Sequence, residues 1–333
     1  MPNSELQVFS REFHVLVVED DENSRVLTQE MLRERGYTVS ATASVDEAVC
    51  AISAHPPDLI LLDVILPGRT GIDLCRDLKS NPATRLIPVI LVTGLTEKDA
   101  RIQGIEAGAD DFLNKPVDPQ ELFARVKSLL KLKQFTDELE NAETVLFSLA
   151  LGVEARDPYT EGHCHRLSMF AARLGLALGL QGDDITALRR GGILHDIGKI
   201  TVPDAILRKP GPLDEKELAI MRRHPVTGEQ ICQPLHTLAR VLPIIRHHHE
   251  HWNGGGYPDG LAGEQIPVLA RILQVVDAYD ALTTERPYKR AWPHDRAKTV
   301  LLDEARQRWW DEKILRLFLR QIETRSRDER MAG

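Results

Sequence analysis

Four short apolar runs, each ending in polar residues, constrain this fold more than any other feature of the sequence. Val15-Leu16-Val17-Val18 runs into Glu19-Asp20-Asp21, and Leu59-Ile60-Leu61-Leu62 into Asp63. Pro88-Val89-Ile90-Leu91-Val92 runs into Thr93-Gly94, and Asp111-Phe112-Leu113-Asn114 into Lys115-Pro116. Amphipathic stretches, such as residues 25–35 and 45–53, lie between them. Strands that are apolar on both faces and alternate with helices predict an α/β doubly wound domain with a parallel sheet, over residues 14–130. The functional crevice of such a sheet lies at the carboxyl ends of its strands. The sequence sets Glu19, Asp20, Asp63, Thr93 and Lys115 there.

Carboxylates converging on one crevice repel one another unless a cation sits among them. Hard oxygen donors suit Mg²⁺, which keeps several waters and accepts phosphate oxygens. Asp63 is then placed to attack a phosphoryl group and form an acyl phosphate. The strings Val-Val-Glu-Asp-Asp, Leu-Leu-Asp-Val-Ile-Leu-Pro-Gly-Arg-Thr-Gly and Gly-Ala-Asp-Asp-Phe-Leu-Asn-Lys-Pro resemble the receiver domains of bacterial two-component response regulators. The resemblance implies a five-stranded parallel sheet and Asp63 as phosphoacceptor, with Glu19, Asp20 and Asp63 around Mg²⁺. It also implies Thr93 and Phe112 as the switch pair, Lys115 as the phosphate contact, and a sensor histidine kinase as partner. Glu19 stands where aspartate is usual, and Gly94 where alanine is common.

Asp118-Pro119 marks a helix start, with an N-cap residue followed by proline at the first position. Leu132, Phe135, Leu139, Ala142, Leu146, Leu149 and Val153 then recur in steps of three and four, a heptad seam over a connector at residues 131–153. Such a seam suits a parallel coil joining two protomers as a homodimer. It equally suits a helix packed on its own domain.

In the second region, residues 145–325, histidines concentrate: nine of the chain's twelve fall within residues 163–251. His195-Asp196 stands inside the apolar stretch Ile193-Leu194-His195-Asp196-Ile197-Gly198-Lys199-Ile200. Burying such a pair costs several kcal/mol unless each group is paired or bound to a metal. On one continuous helix Lys199 would share the face of His195, and His224 would end a helix over residues 215–223. No strand-like alternation occurs, so the region reads as an all-α bundle, whose core can aim several ligands at one point. Five histidines and two carboxylates suit two metal ions rather than one, with Asp196 bridging. Mixed imidazole and carboxylate donors fit iron or manganese, and also zinc or nickel. Paired ions about 3.5–4 Å apart are an arrangement used in phosphoester hydrolysis.

His195-Asp196, Gly256-Tyr257-Pro258, Asp157-Pro-Tyr-Thr-x-Gly-His163, His224-Pro-x-x-Gly, His248-His249-Glu250-x-Trp-Asn-Gly, Asp277-x-Tyr-Asp-Ala-Leu-Thr and Arg286-Pro-Tyr-Lys289 resemble the HD-GYP family of phosphohydrolases. Position by position, the family implies metal ligands at His163, His195, Asp196, His224, His248, His249 and Asp277. His165, His247 and His251 are then bystanders. Asp196 and Lys199 become the catalytic pair, and Arg286, Lys289, Gly256 and Tyr257 the contacts to cyclic di-GMP. Family members with a third ion carry a glutamate four residues before the first histidine ligand. Here that position is Tyr159, which predicts two ions, with Glu154 and Glu161 the nearest acids that could overturn the count.

The net charge of −8 argues against a nucleic-acid binder with a broad basic face. The four cysteines lack C-x-x-C spacing, and no apolar run is long enough to span a bilayer. The expectation is a cytoplasmic response regulator that binds neither DNA nor membrane. Its HD-GYP domain, an all-α HD-type bundle joined by a long helix, hydrolyses cyclic di-GMP to pGpG with slow further cleavage to GMP, and residues 326–333 form a polar tail. The rival reading is a non-catalytic cyclic di-GMP-binding or protein-interaction adaptor of the same fold. An incomplete ligand set would mark it, and here the set is complete.

Overall fold

Five short strands, β1 His14–Val18, β2 Thr38–Thr42, β3 Leu59–Asp63, β4 Val89–Thr93 and β5 Asp111–Asn114, pair in parallel in the order β2-β1-β3-β4-β5. They belong to a computed structural model that describes residues 12–94, 98–156, 162–285 and 291–331. Their registers bring Val18 beside Leu62, Asp63 beside Val92 and Thr93 beside Asn114, so the polar strand ends share one edge. Helices α1 Glu22–Glu34, α2 Val45–Ala54, α3 Gly71–Ser80, α4 Lys98–Glu106 and α5 Pro119–Arg156 connect and follow the strands.

Alternate residues of each strand enter two separate cores, Leu16 and Val18 one of them, Val15 and Val17 the other. This is the pleat acting on a sheet buried on both faces. Asp21, Ser44 and Thr70 cap α1, α2 and α3 by accepting a main-chain N–H with their side chains. Asp118 does the same for Glu121 at the start of α5. Among the strands, β2 carries no continuous apolar signal: Thr38-Val39-Ser40-Ala41-Thr42 lies at the sheet edge, and only Val39 is buried.

The chain divides into two compact units, residues 1–140 and 141–333, and α5 extends past that boundary. The second unit contains α6 His163–Ala177, α7 Asp183–Leu194, a 3-10 turn Ile197–Thr201, α8 Asp204–Leu207, α9 Glu215–Met221, α10 His224–Cys232 and α11 Leu242–His247. After these come α12 Val268–Thr283, α13 His294–Arg306 and α14 Glu312–Met331, so the backbone of the polar tail is helical to Met331. Among its described residues the unit has no strand, only an isolated bridge between Asn253 and Ala262. Helix α12 is central, with Ile272, Leu273, Val275 and Val276 fully buried, as expected of a helix apolar almost all round.

Two expectations need correction. The helix carrying His195 stops at Leu194, and Lys199 sits on the 3-10 turn rather than one α-turn beyond His195. His224 opens α10 instead of ending α9, because α9 stops at Met221 and Pro225 fits the first turn of a new helix. The heptad seam also divides. Leu132, Phe135, Leu139 and Leu149 are exposed, whereas Val153 is buried and Leu146 packs on the core of the second unit. Among the described residues no helix is long and apolar enough to cross a membrane.

Candidate metal centre and phosphoryl-acceptor site

At the carboxyl edge of the sheet, Glu19, Asp20 and Asp63 bring one oxygen each to within 4.8 Å of one another. Glu19 and Asp63 are buried and Asp20 is exposed. Lys115 Nζ lies 2.7 Å from Glu19 Oε2 and 2.6 Å from Asp63 Oδ2, so one ammonium holds both acids together. Burial raises the Glu19 carboxyl, and the neighbouring Asp63 charge adds to that. Burial alone would lower the Lys115 ammonium, but contact with Asp63 and Glu19 raises it overall. Thr93 is buried at the end of β4, and Phe112 is buried on β5 under the Arg101 guanidinium, 5.3 Å from the ring centroid.

In the second unit the expected ligands fall into two groups. Asp196, His224, His248 and His249 bring donor atoms within 4.8 Å of one another, and His163, His195 and Asp277 form a second such set. Asp196 stands between the sets: Oδ1 is 3.1 Å from His224 Nε2, and Oδ2 is 3.3 Å from His195 Nε2. Gly198 allows this approach, since a Cβ there would lie 2.0 Å from the His224 carbonyl oxygen.

Helix ends aim the rings. The last carbonyls of a helix lack intrahelical partners, and three of these histidines use them. His195 Nδ1–H donates to Gly192 O at 3.2 Å, His224 Nδ1–H to Met221 O at 2.8 Å, and His248 Nδ1–H to Ile245 O at 2.7 Å. A carbonyl only accepts, so the proton sits on Nδ1 and a neutral ring leaves its Nε2 lone pair toward the centre. His163 donates Nδ1–H to Asp280 Oδ2 at 2.7 Å with the same result.

This donor set fits divalent metal. His195 Nε2 and Asp196 Oδ1 are buried without a hydrogen-bond partner, although other donor atoms of the set surround them. Such atoms are costly unless a cation satisfies them. Burial pushes His248 down to about 4 and His249 well below its usual value, which keeps both rings in the ligating form. Burial would raise Asp196, yet Lys199 and His195 pull it well below the usual carboxylate range. Burial would lower His195, but Asp196 raises it, a measure of how strongly this pocket attracts positive charge. Lys199 Nζ contacts Asp196 Oδ2 at 2.5 Å.

Tyr257 stacks on His249 with centroids 4.8 Å apart, and burial raises its phenol, so it stays protonated. Gly256 passes so close to the backbone that a Cβ would lie 2.3 Å from His251 N. The bystander histidines stand outside both donor groups: His251 stacks on Trp309, and His247 groups with Glu250 and Asp259. The two carboxylates of that last group are already held, Glu250 by three main-chain N–H groups and Asp259 by Arg246. Glu154 accepts from Cys164 N at 3.2 Å and belongs to neither donor group. Arg286, Lys289, Tyr159 and Glu161 lie outside the described residues. Sequence reasoning gave no role to Asp280, which touches His163, to Arg166, which holds Asp280, or to Glu250, which holds the loop after the histidines; the second aspartate of Asp277-Ala-Tyr-Asp280 was the available signal.

Residues 15–127 match the response regulator receiver domain family, and residues 149–314 the HD domain family. Together with the paired His/Asp groups, these matches define a response regulator whose output domain is a metal-dependent phosphodiesterase. The chain is similar to the cyclic di-GMP phosphodiesterase response regulator RpfG of Xanthomonas campestris pv. campestris, with 34% identity over 330 residues, 92% of this chain and 87% of that protein. It is 33% identical over 314 residues to a cyclic di-GMP phosphodiesterase of Thermotoga maritima, covering 85% of this chain and 83% of that one. A solved signal receiver domain of a histidine kinase from Syntrophus aciditrophicus is 39% identical, covering 36% of this chain and 90% of that one, with TM-score 0.35. The chain belongs to the family of response regulators in which a receiver domain precedes an HD domain.

Proposed function

We propose that this protein hydrolyses cyclic di-GMP to pGpG, with slower cleavage to GMP, under the control of phosphorylation at Asp63. One observation carries the reading: the seven expected ligands separate into two donor groups on either side of Asp196. His163, His195 and Asp277 would hold one divalent ion, and His224, His248 and His249 the other, with Asp196 shared. Iron or manganese suits these donors best, and zinc or nickel is compatible. When bound, such a pair supplies Lewis-acid polarisation of a phosphoryl oxygen and an activated water.

The remaining work falls to side chains. Lys199, held against Asp196, supplies a cation beside the reacting phosphate. Tyr257, neutral and fixed by its stack on His249, offers a hydroxyl donor. Gly256 lets the loop lie flat against the ligand-bearing segment. Arg286 and Lys289 are assigned to a substrate phosphate.

In the receiver, Glu19, Asp20 and Asp63 would hold Mg²⁺ while Asp63 accepts a phosphoryl group from a sensor histidine kinase. Thr93 and Lys115 then contact the phosphoryl oxygens, and Phe112 follows Thr93. Exposure of Leu132, Phe135 and Leu139 on α5 favours a homodimer through the connector. The deciding experiment is metal analysis of anaerobically purified protein, coupled to chromatography of cyclic di-GMP products. Two ions per chain and pGpG are expected. Metal-loaded protein that binds the nucleotide without cleaving it would establish the adaptor reading instead.

A further inference from the structure

The two donor groups differ in what stands behind them. His195, His224 and His248 each lean on a main-chain carbonyl. His163 leans on a carboxylate, donating Nδ1–H to Asp280 Oδ2 at 2.7 Å with both residues buried. Asp280 is itself fixed. Its Oδ1 accepts Arg166 Nε at 2.6 Å, and its Oδ2 accepts Arg166 Nη2 at 2.9 Å and the Thr284 hydroxyl at 3.2 Å.

A carboxylate that accepts Nδ1–H draws the proton toward itself, raises electron density at Nε2 and fixes the ring. A neutral carbonyl does this more weakly. The His163 group also owns a second anion, Asp277, whose Oδ1 is 3.5 Å from His163 Nε2. The His224 group has three imidazoles and only the carboxylate of Asp196, which it shares. Charge and basicity therefore concentrate on one side of Asp196.

We propose that Asp280 is a positioning residue that makes the two metal positions unequal, so that the His163–His195–Asp277 position fills first and holds its ion more tightly. This rests on the two-metal reading above. The consequence is ordered loading: at limiting metal the protein carries one ion, in a known position, and becomes active only when the second position fills.

The test is a Co²⁺ titration of chelator-treated full-length protein, followed by visible absorption and equilibrium dialysis. The wild type should bind in two phases, the first at least about tenfold tighter, within the range that such supporting carboxylates give. His249→Ala should lose only the weaker phase. Asp280→Asn should weaken the first phase by about 10–100-fold and move the second far less. Arg166→Gln removes the same tie between helices but keeps the Asp280 charge, and should leave the first phase no weaker. Equal weakening of the first phase in Asp280→Asn and Arg166→Gln would mean that Asp280 merely braces the fold, overturning the proposal. Two ions bound with equal affinity in the wild type would also overturn it while leaving the two-metal reading standing. Failure to bind any ion would remove both.

Discussion

The Nε2 atoms of His224 and His248 stand 3.3 Å apart, each ring having already given its Nδ1–H to a carbonyl at the end of a helix. Neutral rings in that arrangement turn two lone pairs toward each other, which is unfavourable unless a proton or a metal ion lies between them. Folding of the second unit thus gathers lone pairs where a cation would be held.

Metal should accordingly stabilise the fold. A ligand that binds only the folded state at a hundred times its Kd contributes about 2.7 kcal/mol per site. Chelator treatment is expected to lower the Tm of the second unit by several degrees, and Mn²⁺ to restore it. A melting curve indifferent to both additions would sink the assignment.

The metal-free protein should also lose stability in acid. His248 falls from 6.5 to about 4 on folding, so the unfolded chain takes up its proton first. The stability tied to this ring is complete above pH 6.5 and is lost as pH falls from 6.5 toward 4, on the order of 3 kcal/mol in all. His195, whose value is raised, acts in the opposite sense: its contribution is complete below its unfolded value and is lost as pH rises through the folded one. Comparing wild type with His248→Gln isolates the first effect. The variant should show a shallower fall in Tm between pH 6.5 and 4, and identical slopes would contradict the burial argument.

The limits of the sequence reading have physical causes. β1, β3 and β4 were legible because continuous apolar runs announce strands buried on both faces. β2 was not, since an edge strand needs only one apolar position, Val39, to belong to the core. The break after Leu194 was hidden because Ile193, Ile197 and Ile200 keep helical spacing across it, although close packing of Gly198 against His224 sets the chain's path there. The candidate ligands were readable from motif strings, whereas their division into two groups was not. It depends on α6, α7, α10, α11 and α12 converging, and on Asp196 turning one oxygen to each side.

In the receiver, Lys115 bridges Glu19 and Asp63. Asp63→Asn should abolish labelling by acetyl phosphate in the presence of Mg²⁺. Lys115→Ala should leave Asp63 present but slow its labelling by about a hundredfold, the lower end of what losing one donor to developing charge costs. Labelling of Asp63→Asn at the wild-type level would move the phosphoacceptor elsewhere.

The two halves of the connector seam should respond differently. Leu139 is 45% exposed, so Leu139→Glu is expected to shift the sedimentation mass from dimer toward monomer without changing the Tm of the second unit. Leu146 packs on the core of that unit, so Leu146→Glu should destabilise it by about 2–4 kcal/mol, because a charge enters an apolar contact. A dimer unaffected by Leu139→Glu combined with Leu132→Glu would place any self-association elsewhere.

Glu250 is fully buried, and its carboxylate organises the loop that follows His248 and His249. Oε1 accepts the N–H groups of Asp259 at 2.7 Å and Gly260 at 3.1 Å, and Oε2 accepts that of Leu261 at 3.0 Å. Gln274 holds the same residue's main-chain carbonyl at 2.5 Å. Glu250→Gln replaces one acceptor oxygen by an NH₂ group that meets an N–H, so a donor faces a donor at a cost of about 1–3 kcal/mol. The strain falls on the loop bearing Gly256 and Tyr257, while His224 and His248 keep their carbonyl partners on other segments. The expected outcome is a KM for cyclic di-GMP raised by about tenfold or more, with two metal ions retained, because loss of uniform binding appears in KM. A variant that loses metal and kcat together at unchanged KM would show instead that Glu250 acts through the neighbouring histidines.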